Sequence, residues 1–203
     1  LYTDVANAAF FTIFYVPMVP IIIFIFKKDF LHWSVWPSVI LCLIGGYLLT
    51  NFQDATVRLG DTLVILGALF WSTHIIFTGM IIKKYNLPLT IGAIQTLLVA
   101  LFSFIIGLFS EEFVIENILN EIDSILYAGI LSGGFAFVLQ IYAQRNITPA
   151  PAAIIFSLEG VFATIAAWFL LNQILGINNL LGCFFILSGV LLSQLVPLIK
   201  KTT

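Results

Sequence analysis

Seven apolar runs, 8–26, 33–50, 62–82, 87–109, 124–144, 150–171 and 177–199, occupy most of this 203-residue chain. At about 20 residues each, they are long enough to cross a bilayer core as helices that satisfy their own backbone hydrogen bonds. The connections between them are too short to form a separate soluble domain. Composition agrees, with 61% hydrophobic and only 9% charged residues, where a soluble domain carries about 25% charged residues. A cytosolic globular enzyme, a nucleic-acid binder and a disordered chain are thereby excluded. The expected fold class is an all-α membrane protein with seven transmembrane helices.

Helix punctuation supports these boundaries. Gly60-Asp61 precedes the third run, Thr148-Pro149 precedes the sixth, and Lys27-Lys28 and Lys83-Lys84 follow the first and third. The first run lacks the basic flank and small-residue cleavage site of a signal peptide, so it reads as a span. Alternate loops on one side collect Lys27, Lys28, Lys83, Lys84, Arg145, Lys200 and Lys201, and the other side has only Arg58. The positive-inside rule then predicts a multi-pass plasma (inner) membrane protein with its C-terminus in the cytoplasm and Leu1 outside. Glu111, Glu112, Glu116, Glu121 and Asp123 form an acidic external loop, read as a solvated surface or, alternatively, as a cation attractor. The net charge of -2 adds nothing to this, because placement rather than sum carries the information.

Cys42 and Cys183 sit inside apolar runs, spaced for neither a disulfide framework nor a metal site, and read as core fillers. No metal-ligand cluster, nucleophile–base arrangement or phosphate-cradling glycine loop is present in the sequence. The expectation is a chain without catalytic residues, metal or cofactor, and not an enzyme.

Sliding the sequence along itself by 144 residues aligns 3–50 with 147–194. Ala6, Ala8, Ala9, Leu31, Leu43, Gly45 and Leu48 then fall on Ala150, Ala152, Ala153, Leu175, Leu187, Gly189 and Leu192. Equivalent helices lie five steps apart, an odd number, so the two copies would cross the membrane in opposite directions, the inverted repeat of many secondary transporters. The expected organisation is therefore 1–50 as the last two helices of a first repeat, 51–60 as an external linker and 61–203 as a complete second repeat. A symmetric whole would have ten helices in two inverted five-helix repeats. Three helices, about 70 to 90 residues, would precede Leu1.

The segments ANAAFFTIFYVPMVPIIIFIF, GDTLVILGALFWSTHII, ITPAPAAIIFSLEGVFATIAAWFLLNQ and LLGCFFILSGVLLS resemble those of EamA-type transporters of the drug/metabolite transporter superfamily. The resemblance implies the ten-helix inverted-repeat fold, of which these spans would be helices four to ten. It also implies a small organic substrate, such as an amino acid, base or drug-like compound, commonly moved outward. Gly160 stands where that family usually has Pro after the Glu equivalent to Glu159; a Gly there can still loosen the helix.

Polar groups within the apolar runs are the candidate site residues. Glu159 is the one formal charge inside the seven runs, at a cost of about 2.5 kcal/mol or more unless it is paired or faces water. It reads either as a cavity carboxylate that binds substrate or a coupling proton, or as a hydrogen-bonded tie between helices. His74, Trp71, Thr78 and Gly67 share one helical face, a candidate cavity wall. His74 reads as a proton-coupling group or as a neutral histidine donating one hydrogen bond to a neighbouring helix, and Trp71 as a packing residue or as an aromatic wall for an organic substrate. Gln95 and Gln140 are expected to face inward because an amide in hydrocarbon needs a partner. Tyr15 and Thr12, with Asn7 at the outer end of the same run, are weaker candidates. Gly129 with Gly133, and Gly45 with Gly189, are expected to serve close helix packing. Pro17/Pro20 and Pro149/Pro151 read as bends, either static or rocking.

Secondary transport by alternating access is the reading that accounts for the repeat and the few inward polar groups together. Its expected partners are a small-molecule substrate, the lipid bilayer, a coupling proton and a second copy of the chain in a homodimer, with no nucleic acid. The alternative is a non-transporting seven-helix receptor or scaffold. The receptor lacks a lysine in the last run for a retinal Schiff base and a cysteine placed for an external disulfide. A phosphate-ester antiporter would want Lys or Arg in the cavity, and only Arg145, at a helix end, comes near.

Overall fold

The computed structural model describes residues 2–3, 5–27, 31–50, 58–110 and 112–199. These are mostly helical, and no strand occurs among them. Six spans are long and apolar enough to cross a membrane: Asn7–Phe26, Leu59–Tyr85, Pro88–Ser110, Ile122–Ala143, Pro149–Leu171 and Ile177–Ile199. A shorter apolar helix, Val35–Thr50, takes the place of the second expected run. With 16 residues it covers about 24 Å, less than the roughly 30 Å of a bilayer core. The chain is a multi-pass membrane protein, and the expected runs coincide with these helices to within a few residues at most ends.

Two spans are interrupted. The first consists of α1 (Val5–Thr12) and α2 (Tyr15–Lys27), and the sixth of α9 (Pro149–Phe156) and α10 (Leu158–Leu171). Shifting α1 by 144 residues gives the bounds of α9, so the interruptions at 13–14 and 157 fall at equivalent places. Their local causes differ. Pro17 has no N–H to offer Ile13 and its ring crowds that carbonyl. The Ile13 oxygen is taken instead by Val16 N at 2.9 Å, and the turn tightens through Ile13 N to Phe10 O and Phe14 N to Phe11 O, both 3.2 Å. At the second interruption the Ser157 hydroxyl donates to Ile154 O at 2.6 Å, a side-chain competitor for a helical carbonyl. The backbone there closes through three-residue steps, Ser157 N to Ile154 O and Gly160 N to Ser157 O. The Pro that Gly160 replaces is thus not needed for the break. Pro149 and Pro151, by contrast, start a helix rather than bend one.

The helices form two compact units, 1–77 with 148–203, and 78–147. In the first, α3 (Val35–Thr50) and α11 (Ile177–Ile199) make the most extensive helix pair. A Cβ on Gly45 would lie 2.7 Å from Gly182 O and 2.6 Å from Ile186 Cγ1, and one on Gly189 would lie 2.8 Å from Ser38 O and 3.0 Å from Cys42 Sγ. The offset of 144 carries Ser38, Cys42 and Gly45 onto Gly182, Ile186 and Gly189, so the seam is reciprocal. The expectation for Gly45 and Gly189 is met. Around this seam α2 packs on α9, and α1 and α9 both contact α3. Tyr15, Val16, Val19, Val39, Cys42, Ala153, Ile154 and Ile186 form the buried core with Ala68 and Ile75 of α4 (Leu59–Tyr85). Cys42 is the core filler expected; Cys183 is half-buried, and both are free thiols.

The second unit contains the end of α4, then α5 (Pro88–Ser110), α6 (Ile115–Asn120), α7 (Ile122–Leu126), a π-helical stretch Tyr127–Ala136 and α8 (Phe137–Ala143). Asn86, in the left-handed conformation at φ 56°, ends α4 before Pro88 opens α5. Gly92 of α5 sits against Val138, where a Cβ would lie 2.8 Å from its Cγ2. Two expectations are corrected here. The acidic segment is not a loop, since Glu116 lies on α6 and Asp123 on α7, with Glu111 outside the described residues. Gly129 and Gly133 do not seat a neighbouring helix: a Cβ on Gly129 would meet nothing within 4 Å, and one on Gly133 would meet only Ala128 O at 3.3 Å. The run of small residues Gly129, Ser132, Gly133 and Gly134 lies instead within the widened π-helical turn.

Gly45→Ala and Gly189→Ala should each destabilise the protein by about 1–3 kcal/mol, the cost of overpacking against backbone that cannot yield. Gly67→Ala, where a Cβ meets nothing within 4 Å, should be neutral or stabilising by up to about 1 kcal/mol. Unfolding midpoints in detergent check this, and equal losses at all three positions would contradict the seam.

Candidate functional site

A cavity of about 260 Å³ opens in the first unit where the interrupted helices meet the α3–α11 seam. Thr12, Ile13 and Tyr15 reach it from the first interruption, and Phe156, Ser157, Glu159 and Gly160 from the second. Gly46, Leu49 and Thr50 of α3 and Ile186 of α11 complete most of its wall. Residues at both breaks line this space, and hydroxyls reach backbone carbonyls beside each break. Ser72 donates to Ala68 O at 2.7 Å with Tyr15 O at 3.4 Å. Ser157 Oγ, besides its bond to Ile154 O, stands 3.3 Å from Cys42 Sγ.

Glu159 lies in the first turn of α10, where free N–H groups and the helix dipole favour a negative charge. It lines the cavity and is exposed, and its carboxylate makes no hydrogen bond or ion pair among the described residues. Tyr15 opens α2 and is 4% exposed. The 144-residue offset relates Tyr15 to Glu159, so the two breaks present a phenol and a carboxylate at matching positions of one cavity. Thr12, whose hydroxyl donates to Ala8 O at 2.8 Å, also lies on this wall.

Other sequence candidates fall elsewhere. Trp71 and His74 are stacked, with ring centroids 5.1 Å apart and planes inclined by 18°. Neither lines this cavity, and Trp71 packs against the buried core. Thr78, Gln95 and Gln140 belong to the second unit; the two amides are half-buried on α5 and α8. Asn7 is buried at 3% exposure. No group of three or more His, Cys, Asp or Glu among the described residues could hold a metal ion.

One charged residue escaped the sequence reading. The helix of the third run starts at Leu59, not at 62, which brings Asp61 into its first turn, a formal charge on a span in addition to Glu159. Asp61 is shielded from solvent. It accepts from Arg58 N at 2.8 Å and from the Thr3 hydroxyl, while Gly60 N donates to Tyr2 O at 3.2 Å. A Cβ on Gly60 would lie 2.5 Å from the Tyr2 carbonyl carbon. This cluster fastens the segment before α1 to the start of α4. The Gly60-Asp61 pair was visible as helix punctuation, but the partner 58 residues earlier carried no local signal.

The model of the EamA-like transporter family matches residues 58–195. The chain belongs to that family. It is 30% identical over 200 residues to an uncharacterized transporter of Archaeoglobus fulgidus, a match covering 96% of this chain and 62% of that protein. It is 26% identical over 159 residues to the uncharacterized transporter YoaV of Bacillus subtilis, covering 75% of this chain and 52% of YoaV. Protein WALLS ARE THIN 1 of Arabidopsis thaliana is 27% identical over 166 residues, covering 78% and 40% respectively. The chain thus spans less than two thirds of the length of these relatives. The EamA-like family is one of membrane transporters.

Asp61→Ala should lower the unfolding midpoint and speed proteolysis near Thr3, with Asp61→Asn intermediate because the amide keeps one acceptor oxygen. Limited proteolysis with mass mapping checks this. Unchanged cleavage in Asp61→Ala would show that the cluster does not hold the segment.

Proposed function

We propose that this EamA-like chain works as part of a secondary transporter that moves a small organic metabolite by alternating access, with the cavity at the two helix breaks as its substrate site. The observation that carries this reading is the pairing of breaks. Discontinuous transmembrane helices at the repeat interface are where secondary transporters place substrate and coupling-ion groups. Here two breaks 144 residues apart line one cavity. The reciprocal contacts of Gly45 with Gly182 and Gly189 with Ser38 support an inverted repeat, since a pseudo-two-fold interface pairs each position with its counterpart's partner. In this reading residues 1–50 end one repeat and 61–203 form the other, with the C-terminus in the cytoplasm. Energy would come from a proton or substrate gradient, and net movement is outward, as the family resemblance implies.

Glu159 and Tyr15 are assigned to substrate or proton binding in this scheme, and Trp71 to packing. The native protein, purified from its own membranes and reconstituted, should show saturable flux of particular members of a panel of labelled amino acids, nucleobases and aromatic amines. Glu159→Gln should slow that flux by about tenfold or more, as expected from losing a hydrogen bond to a charged group. Tyr15→Phe should slow it about fivefold, and Trp71→Phe should leave it within twofold. Absence of saturable flux across the whole panel would overturn the proposal.

A further inference from the structure

The cavity wall is mostly apolar, with Ile13, Leu49, Phe156 and Ile186 around a few hydroxyls, and Glu159 is the one formal charge on it. The carboxylate has no hydrogen-bond or ion-pair partner among the described residues. Glu159 is exposed at the cavity, and a carboxylate within a membrane span characteristically faces a cation or a water-filled cavity. Three features favour an organic cation as the group that completes the site. Tyr15 and Phe156 both line this wall, and aromatic ring faces attract ammonium groups. The hydroxyls of Thr12, Thr50 and Ser157 are there too, and each has an oxygen able to accept from an ammonium N–H. The volume of about 260 Å³ sits at or below the lower end of the roughly 300–1,000 Å³ typical of pockets for drug-sized ligands, so the occupant is metabolite-sized.

We propose that the cavity between the two helix breaks selects a small monovalent organic cation, an ammonium group on a compact apolar body, with Glu159 as its counter-ion and Tyr15 and Phe156 as its aromatic walls. This rests on the reading of the cavity as the substrate site and adds the chemical class. An anionic substrate is disfavoured by repulsion from Glu159. A neutral one leaves the carboxylate to be neutralised by a proton, which makes Glu159 a coupling group only.

The test uses the intact native protein in lipid nanodiscs at neutral pH and three probes matched in size: benzylammonium, benzyl alcohol and benzoate. Calorimetric titration should show benzylammonium binding at least tenfold more tightly than benzyl alcohol, with benzoate weakest. Glu159→Gln should abolish the preference, Glu159→Asp should retain part of it, and Trp71→Phe should leave it intact. Equal affinity for the cation and the alcohol, tighter binding of benzoate, or no binding of any probe at millimolar concentration overturns the proposal. The comparison among probes on the unsubstituted protein stands even if Glu159→Gln does not fold. Flux of labelled benzyltrimethylammonium into proteoliposomes is read separately. Cation preference without flux of any compound supports the cation site and contradicts the transporter reading, whereas flux of neutral metabolites without cation preference does the reverse.

Discussion

Helices α3 and α11 approach each other at Gly45, Gly182 and Gly189 more closely than any side chain would permit, with the seam reaching backbone oxygens on both sides. In a bilayer this kind of contact has to carry the fold, because lipid tails are as apolar as leucine and moving an apolar face from lipid to protein gains little. What remains is dispersion between closely fitted backbones and the satisfaction of the few polar groups. The exposed faces of α5 and α10 follow from the same point, since Leu97, Phe102, Phe162 and Phe169 point outward as suits side chains facing lipid. The seam also fixes where α1 and α9 can lie, because both pack against α3. A Cβ on Gly46 would sit 2.6 Å from Ile13 Cδ1, which places the first helix break directly against this framework.

The cavity follows from that placement. Each break stops a helix short of continuous packing, and Tyr15 and Glu159 take matching positions beside the resulting gap. The same break arises from two chemistries, a proline that withholds a donor at one site and a serine that competes for a carbonyl at the other. Different sequences reaching one geometry at equivalent positions are what a functional requirement on the geometry, rather than on the residue, would produce. Placing Glu159 in the first turn of α10 lets the helix terminus offset part of the cost of its charge. A carboxylate can then be kept at membrane depth without a protein partner.

Much of this was legible in the sequence. Hydropathy located the spans because the bilayer constrains length and composition together, and the repeat at 144 identified Gly45 and Gly189 as equivalent. The helix breaks were less visible: Pro17 marks one, but its effect falls four residues upstream, and Ser157 is a residue that most helices tolerate. Glu159 and Tyr15 were identified as candidates separately, while their joint membership of one cavity needed the fold. The face of Gly67, Trp71 and His74 looked like a cavity wall because periodicity reports that residues share a face without saying what the face meets. Gly129 and Gly133 had the right spacing for a packing stripe, but their small size is used inside a widened helix. Asp61 was invisible as a buried charge because Thr3 is distant in sequence.

The claim that the two helix breaks open a solvent-accessible cavity lined by Thr12, Thr50 and Glu159 is tested most directly by thiol accessibility in the intact protein in native membranes. With Cys42→Ala and Cys183→Ala as background, Thr12→Cys, Thr50→Cys and Glu159→Cys would each be exposed to a membrane-impermeant cationic thiosulfonate, beside Phe102→Cys and Phe162→Cys on the outward-facing surface of α5 and α10. The account predicts rapid labelling at 12, 50 and 159 and slow labelling at 102 and 162. Labelling at the three cavity positions as slow as at the two outer ones would mean that no aqueous site exists there.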